Sequence, residues 1–220
     1  YCHEMSTTKG KHGDLDKLLK VLEPLPGGVE LAIGGGNPLS HPHLTQFLQE
    51  LKRRDIIANI TINQLHVKPF FNYIKDLVDN ELVKGIGISI NSKNYAEIVE
   101  LNQKTDHVVY HVIAGVNDLT VIDELIPLSG KCKVLVLGYK QFGRGIVYYN
   151  EGVQRNIDNW FQALPKYFGK CTLSFDNLAL EQLKIKRFFT ESNWDQFFMG
   201  EDGQFTMYID AVKEQYAKTS

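Results

Sequence analysis

The chain predicts an α/β fold in which parallel strands alternate with helices. Three observations carry that expectation. Short runs of Val, Ile and Leu recur at intervals of about 25 residues, and the segments between them repeat their apolar residues at helical spacing. Alternation of that kind builds parallel strands joined by right-handed crossovers. The runs are also nearly continuous in apolar residues, as strands covered on both faces must be.

Residues 1–13 are polar, carry Gly10 and Gly13, and read as a loop. Asp14 can cap a helix whose Leu15, Leu18, Leu19 and Leu22 share a face, and Pro24, Pro26 and two glycines end it. A strand over 29–33 runs into Gly34-Gly35-Gly36-Asn37-Pro38. The glycines admit backbone angles closed to other residues and let a ligand approach the main chain. Pro38 fixes its own φ and biases Asn37 toward an extended shape. A helix over 44–54 turns Leu44, Phe47, Leu48 and Leu51 inward. Strand 56–62 ends at Asn63-Gln64, and helix 70–78 leads to strand 85–90, where Gly and Ile alternate before Asn91. Helix 95–101 precedes the β-branched strand 108–113, which enters an Ala-Gly-Val-Asn-Asp turn. Helix 119–126 and strand 133–137, stopping at Gly138, complete five strands.

Beyond Gly138 the regularity fades. Residues 139–145 read as a loop, 153–164 as a helix ending at Pro165, 171–175 as a short strand and 177–183 as a helix. Residues 194–210 read as a hairpin, with Phe197-Phe198-Met199 facing Phe205, Met207 and Ile209 across a Gly-Glu-Asp-Gly turn. We divide the chain into a core, 1–145, and a short irregular C-terminal extension, 146–220, that covers one end of the sheet or barrel.

The composition bounds the function. With 220 residues the chain can build one sizeable core, and 43% hydrophobic with 23% charged residues suits a soluble globular protein. A net charge of −2 argues against a large nucleic-acid footprint. No apolar run approaches the roughly 18 residues of a membrane span. Three widely spaced cysteines make no disulfide framework and suit a reducing cytoplasm.

A glycine-rich turn at the carboxyl end of a strand is where α/β proteins commonly bind small molecules. A single cysteine such as Cys2 is ordinarily a buried or loop thiol, whereas an iron–sulfur cluster needs several thiolates held together. His41-Pro42-His43, with His3 and His12 nearby in sequence and Glu4 as a base, leaves zinc-dependent hydrolysis open. The sequence has no Gly-x-Ser-x-Gly elbow, no dinucleotide fingerprint in the right context and no phosphate-binding Gly-Lys-Ser/Thr loop.

An aromatic residue before a cysteine, a polar Ser/Thr/Gly/Lys loop, a helix, and a strand ending in Gly-Gly-x-Pro together resemble the radical S-adenosylmethionine (radical SAM) superfamily. That family's cluster motif is Cys-x3-Cys-x2-Cys, and its glycine motif is usually Gly-Gly-Glu-Pro. Cys2 matches the last cysteine. The resemblance puts the other two, and a sixth strand, ahead of Tyr1, so the chain is expected to be a core truncated before them. It covers Tyr1 to about Gly145 and implies an open (β/α)6 partial TIM barrel of the radical SAM type. The cofactor would lie across the carboxyl ends of the strands.

Site roles follow from the same resemblance. Cys2 would ligate a [4Fe-4S] cluster, and the Tyr1 backbone would read the adenine edge of S-adenosylmethionine. Gly35, Gly36, Asn37 and Pro38 would meet the cofactor's amino group. Asn37 stands where the family usually has Glu and accepts from an ammonium with less electrostatic gain. Asn63, Ser89 and Asn91 would reach the methionine carboxylate or ribose, and His111 and Asn117 form the fifth-strand element. Main-chain atoms of Leu137 and Gly138 would contact adenine. Glu4, Lys140 and Arg144 are candidate substrate contacts; the 139–145 loop resembles a Lys-x-x-Gly-Arg-Gly loop, and its cations either meet an anionic substrate or solvate the rim. The implied chemistry is one-electron cleavage of S-adenosylmethionine to methionine and a 5′-deoxyadenosyl radical, which takes a hydrogen from substrate. An electron donor such as flavodoxin or ferredoxin is implied, with a small-molecule or peptide/protein substrate left open. Rival readings are a non-catalytic barrel binding a nucleotide-like ligand or protein partner, a zinc hydrolase on the same barrel, and a structural domain.

Overall fold

The computed structural model of the chain describes residues 9–218. Asp14 caps the first helix, α1 (Leu15–Val21), its carboxylate accepting from the N–H groups of Asp16 and Lys17 at 3.1 Å. Strand β1 (Glu30–Ile33) follows, then α2 (Leu44–Arg53), β2 (Ile57–Asn63), α3 (Phe71–Asp79), β3 (Gly85–Ser89), α4 (Ala96–Asn102), β4 (Val108–Ile113), α5 (Val121–Leu125) and β5 (Lys133–Leu137). The strand–helix alternation read from the sequence is therefore observed. After β5 come α6 (Arg144–Tyr148), α7 (Glu151–Ala163), β6 (Thr172–Phe175), α8 (Asn177–Gln182), α9 (Glu191–Phe197) and a pair of strands, β7 (Tyr208–Asp210) and β8 (Gln215–Ala217).

The fold is α/β. Strands β1 to β6 form one parallel sheet in sequential order, while β7 and β8 pair antiparallel with each other. Sequential order with crossovers of one hand places the helices on one face of the sheet. The burial pattern agrees. Ile60, Ile62, Ile86, Ile88, Val112, Val134 and Val136 are essentially inaccessible and share one cluster with Leu44, Phe47, Leu48 and Leu51 of α2. Each such side chain contributes about 1.5–3 kcal/mol on leaving water.

Three expectations are corrected, and one strand is added to the sheet. The strands are not covered on both faces: β2, β4 and β5 alternate buried and half-buried residues, and the second face carries Thr61, Asn63, Ser89 and His111. Six strands pair within the described residues, and the sixth is β6, from beyond residue 145; the Lys133 and Thr172 positions begin its register with β5. The 139–145 loop stops short, because Arg144 and Gly145 open α6. The 194–210 hairpin is absent as read. Thr190 accepts from the Asn193 N–H and starts α9, which takes up the first four residues of that segment, and Ile209 pairs with Tyr216 instead. Phe205 and Met207 are exposed.

Among the described residues, no helix is long and apolar enough to cross a membrane.

Candidate functional site

In-register pairing draws one row of residues across the carboxyl side of the open face. Asn63 pairs with Ser89, Ser89 with His111, His111 with Leu135 and Leu135 with Ser174. One level below, Thr61 pairs with Gly87 and Gly87 with Val109. The row combines amide, hydroxyl and imidazole groups with one apolar side chain, and none of its members carries a fixed charge.

His111 lies flat toward β3. A Cβ placed on Gly87 would sit 2.5 Å from both Cε1 and Nε2 of the imidazole and 3.1 Å from the Thr61 hydroxyl oxygen. Glycine at 87 thus creates the space for the ring. Burial holds the His111 imidazole down to about 4, with no charged neighbour contributing. It is neutral at physiological pH, with one nitrogen able to donate and the other to accept.

Asn63 and Asn91 come together at the rim, where Asn91 Nδ2 donates to Asn63 Oδ1 at 2.5 Å. Asn63 Oδ1 also accepts from the Leu65 N–H at 2.9 Å. Behind them sits Gln64, a buried polar residue that the sequence reading passed over. Its Oε1 accepts from the N–H groups of Asn91 and Ser92, both at 2.9 Å, and its Nε2 donates to the Asn94 carbonyl at 2.6 Å. Gln64 therefore sets the path of the chain leaving β3. A glutamine beside a polar strand end was visible in the sequence, but its burial was not, and its partners lie 27 to 30 residues away.

The glycine turn after β1 is exposed, and Gly35 has φ near 120°, a conformation that favours glycine. Asn37 caps the short turn Pro38–Ser40, its Oδ1 accepting from the Leu39 N–H at 3.2 Å, and Pro38 is buried beneath it. Gly36 is exposed beside them.

Asn117, Leu137 and Gly138 are engaged within the protein. Asn117 Oδ1 accepts from the Ile113 N–H at 2.7 Å and Nδ2 donates to the Ile90 carbonyl at 3.0 Å, bracing the exits of β3 and β4. The Asn117 carbonyl accepts from Asn156 and from the Trp160 indole, at 2.9 and 2.8 Å. The Leu137 carbonyl accepts from the Ala114 N–H, and the Gly138 N–H donates to Asp176, each at 2.9 Å. A Cβ on Gly138 would fall 2.5 Å from Leu178 Cγ, so α8 packs where a side chain would stand. These three positions are thus explained by the fold.

Lys140 and Arg144 flank the chain after β5. The Lys140 ammonium lies 5.6 Å from the Phe142 ring centroid, and Arg144 begins α6. Gln182 holds this segment by accepting from the Tyr139 N–H at 2.8 Å and donating to its carbonyl at 3.0 Å.

Tyr1, Cys2, His3 and Glu4 lie outside the described residues. The histidines that left zinc-dependent hydrolysis open are only partly assembled. His12 and His41 meet edge to face at 4.8 Å, but His41 Nε2 is 3.1 Å from the Gly13 carbonyl and its Nδ1 accepts from the His43 N–H. Both ring nitrogens of His41 are used. Among the described residues, no group of three or more His, Cys, Asp or Glu side chains could hold a metal ion.

No protein-family model matches the chain, and no curated protein matches it.

Proposed function

We propose that the chain is the core of a radical SAM enzyme, an open (β/α)6 partial barrel that binds S-adenosylmethionine across the carboxyl ends of its strands. The observation that most supports this reading is the row Asn63–Ser89–His111, with Asn91 hydrogen-bonded to Asn63, at the carboxyl side of a sequentially ordered parallel sheet. These residues match the family's strand-end positions, and α/β proteins bind ligands at that side of the sheet.

The cluster ligands would be Cys2 and two thiols from upstream of Tyr1. Cys132 and Cys171 do not fit that role, because they directly precede β5 and β6, at the amino-terminal end of those strands. A [4Fe-4S] cluster, when bound, supplies the electron for reductive cleavage of the cofactor's carbon–sulfur bond. The work left to the described residues is binding and placement. Asn63, Ser89 and Asn91 offer neutral donors and acceptors to the polar groups of the cofactor. Neutral His111 donates or accepts on the floor of the open face without competing for a proton. The turn at Gly35 and Gly36 admits the ligand close to the main chain. A site of this kind also has to keep water from the reacting carbon.

One observation favours the non-catalytic alternative, a barrel that binds a nucleotide-like ligand or a protein partner. Asn37, Asn117, Leu137 and Gly138 all spend polar groups on the fold itself. Metal analysis separates the two. Full-length protein, including its native residues before Tyr1, is purified without oxygen and reconstituted with iron and sulfide. The enzyme reading expects about four irons per chain; a metal-free protein after reconstitution supports the binding module.

A further inference from the structure

Cys132 and Cys171 are 39 positions apart in the chain and adjacent in the sheet. Lys133 and Thr172 open the β5–β6 register, and the two cysteines directly precede them. The Thr172 N–H donates to the Cys132 carbonyl at 2.9 Å, which fixes the two strands at this level. Neighbouring strands lie about 4.8 Å apart, inside the Cα separation of about 4.4–6.8 Å that a disulfide spans.

The two thiols differ in access. Cys132 is 6% exposed. Cys171 is half-buried and lines a cavity of about 190 Å3 with Phe168, Leu173, Phe175, Ile185 and Phe189. We propose that this pair is a modification site, which a small-molecule disulfide converts to an intramolecular Cys132–Cys171 disulfide. The site lies at the amino-terminal edge of the sheet, away from the row of Asn63, Ser89 and His111, and is independent of the radical SAM reading.

The exchange balances in two steps. Cys171 loses its proton and attacks one sulfur of the reagent, forming a mixed disulfide and releasing one thiolate, which takes up a proton. Cys132 then loses its proton, attacks the Cys171 sulfur and displaces the second thiol. Two protein thiols are oxidised, and one small disulfide is reduced to two thiols. Burial pushes both protein thiols up, Cys132 to about 12. The exchange is therefore slow at neutral pH and accelerates as pH rises. Once formed, the bond ties the edge strand β6 covalently to β5.

The test is treatment of the folded full chain with glutathione disulfide, followed by intact mass and fragment mapping. The expected product carries a 132–171 cross-link in which that pair has lost two hydrogen atoms, read in the fragments apart from any adduct on Cys2. Cys132→Ser should stall as a glutathione adduct on Cys171, and Cys171→Ser should leave Cys132 unmodified. Stable adducts on both Cys132 and Cys171 of the unsubstituted chain would overturn the proposal. So would reaction of Cys132 in Cys171→Ser, or failure of both thiols to react while folded when the urea-unfolded chain reacts.

Discussion

Replacement of Gln64 by Ala is the most informative perturbation of the site's frame. Gln64 is 7% exposed and makes three hydrogen bonds to the main chain of residues 91–94. Each bond contributes about 1 kcal/mol net, so about 3 kcal/mol is the ceiling for losing all three. The loop residues Asn91, Ser92 and Asn94 are exposed, so water can take over their freed groups. The expected destabilisation is therefore about 2 kcal/mol. A Gln64→Glu variant sharpens the test. Its carboxylate still accepts from Asn91 and Ser92, but an oxygen now faces the Asn94 carbonyl where Nε2 donated. That repulsion should bring the loss close to that of Ala despite the two retained bonds. Urea denaturation gives both values from the shift in midpoint at constant slope. A loss below about 0.5 kcal/mol for both variants, the scale of an ordinary surface change, would refute the claim that Gln64 holds the exit of β3.

Gly87→Ala should displace the His111 ring and cost about 1–3 kcal/mol, the range of an overpacked site; urea denaturation and the shift of the His111 ring-proton resonance check it. His111 links stability to pH. Its folded value of about 4 lies below the ordinary 6.5, so the unfolded chain takes the proton first as pH falls. Its contribution is intact above pH 6.5 and is lost toward pH 4, by up to about 3 kcal/mol. Denaturation at both pH values should show that loss in the natural chain and a smaller one in His111→Gln. Asn117→Ala should cost about 2 kcal/mol by removing two bracing bonds, with Asn117→Asp retaining the bond from Ile113; equal stability of all three chains would return Asn117 to the ligand-binding set.

The alternation of strands and helices was legible because apolar runs and helical repeats persist wherever one face packs on the other. The one-sided burial was not. Ile57, Val109, Leu135 and Leu137 fill positions on the open face with apolar residues, so each run reads as continuous, and Gly85 and Gly87 offer no side chain to mark it. The four-residue strand β6 was visible as a strand, but nothing within four residues names its partner. Aromatic alternation after Phe197 outweighed the Thr190 cap, which is the stronger local signal because it satisfies a helix N–H. Polar strand ends at Asn63, Ser89, Asn91 and His111 could be read in order. That Asn117 spends its carboxamide on the exits of β3 and β4 could not, since Ile90 lies 27 residues away.

The most direct measurement is 5′-deoxyadenosine formed from S-adenosylmethionine by full-length protein, reconstituted without oxygen and supplied with a strong one-electron reductant. Release of 5′-deoxyadenosine and methionine, abolished by Cys2→Ala, is what the radical SAM account predicts. Reconstituted protein that forms no 5′-deoxyadenosine, or a Cys2→Ala chain that forms as much as the natural one, contradicts it.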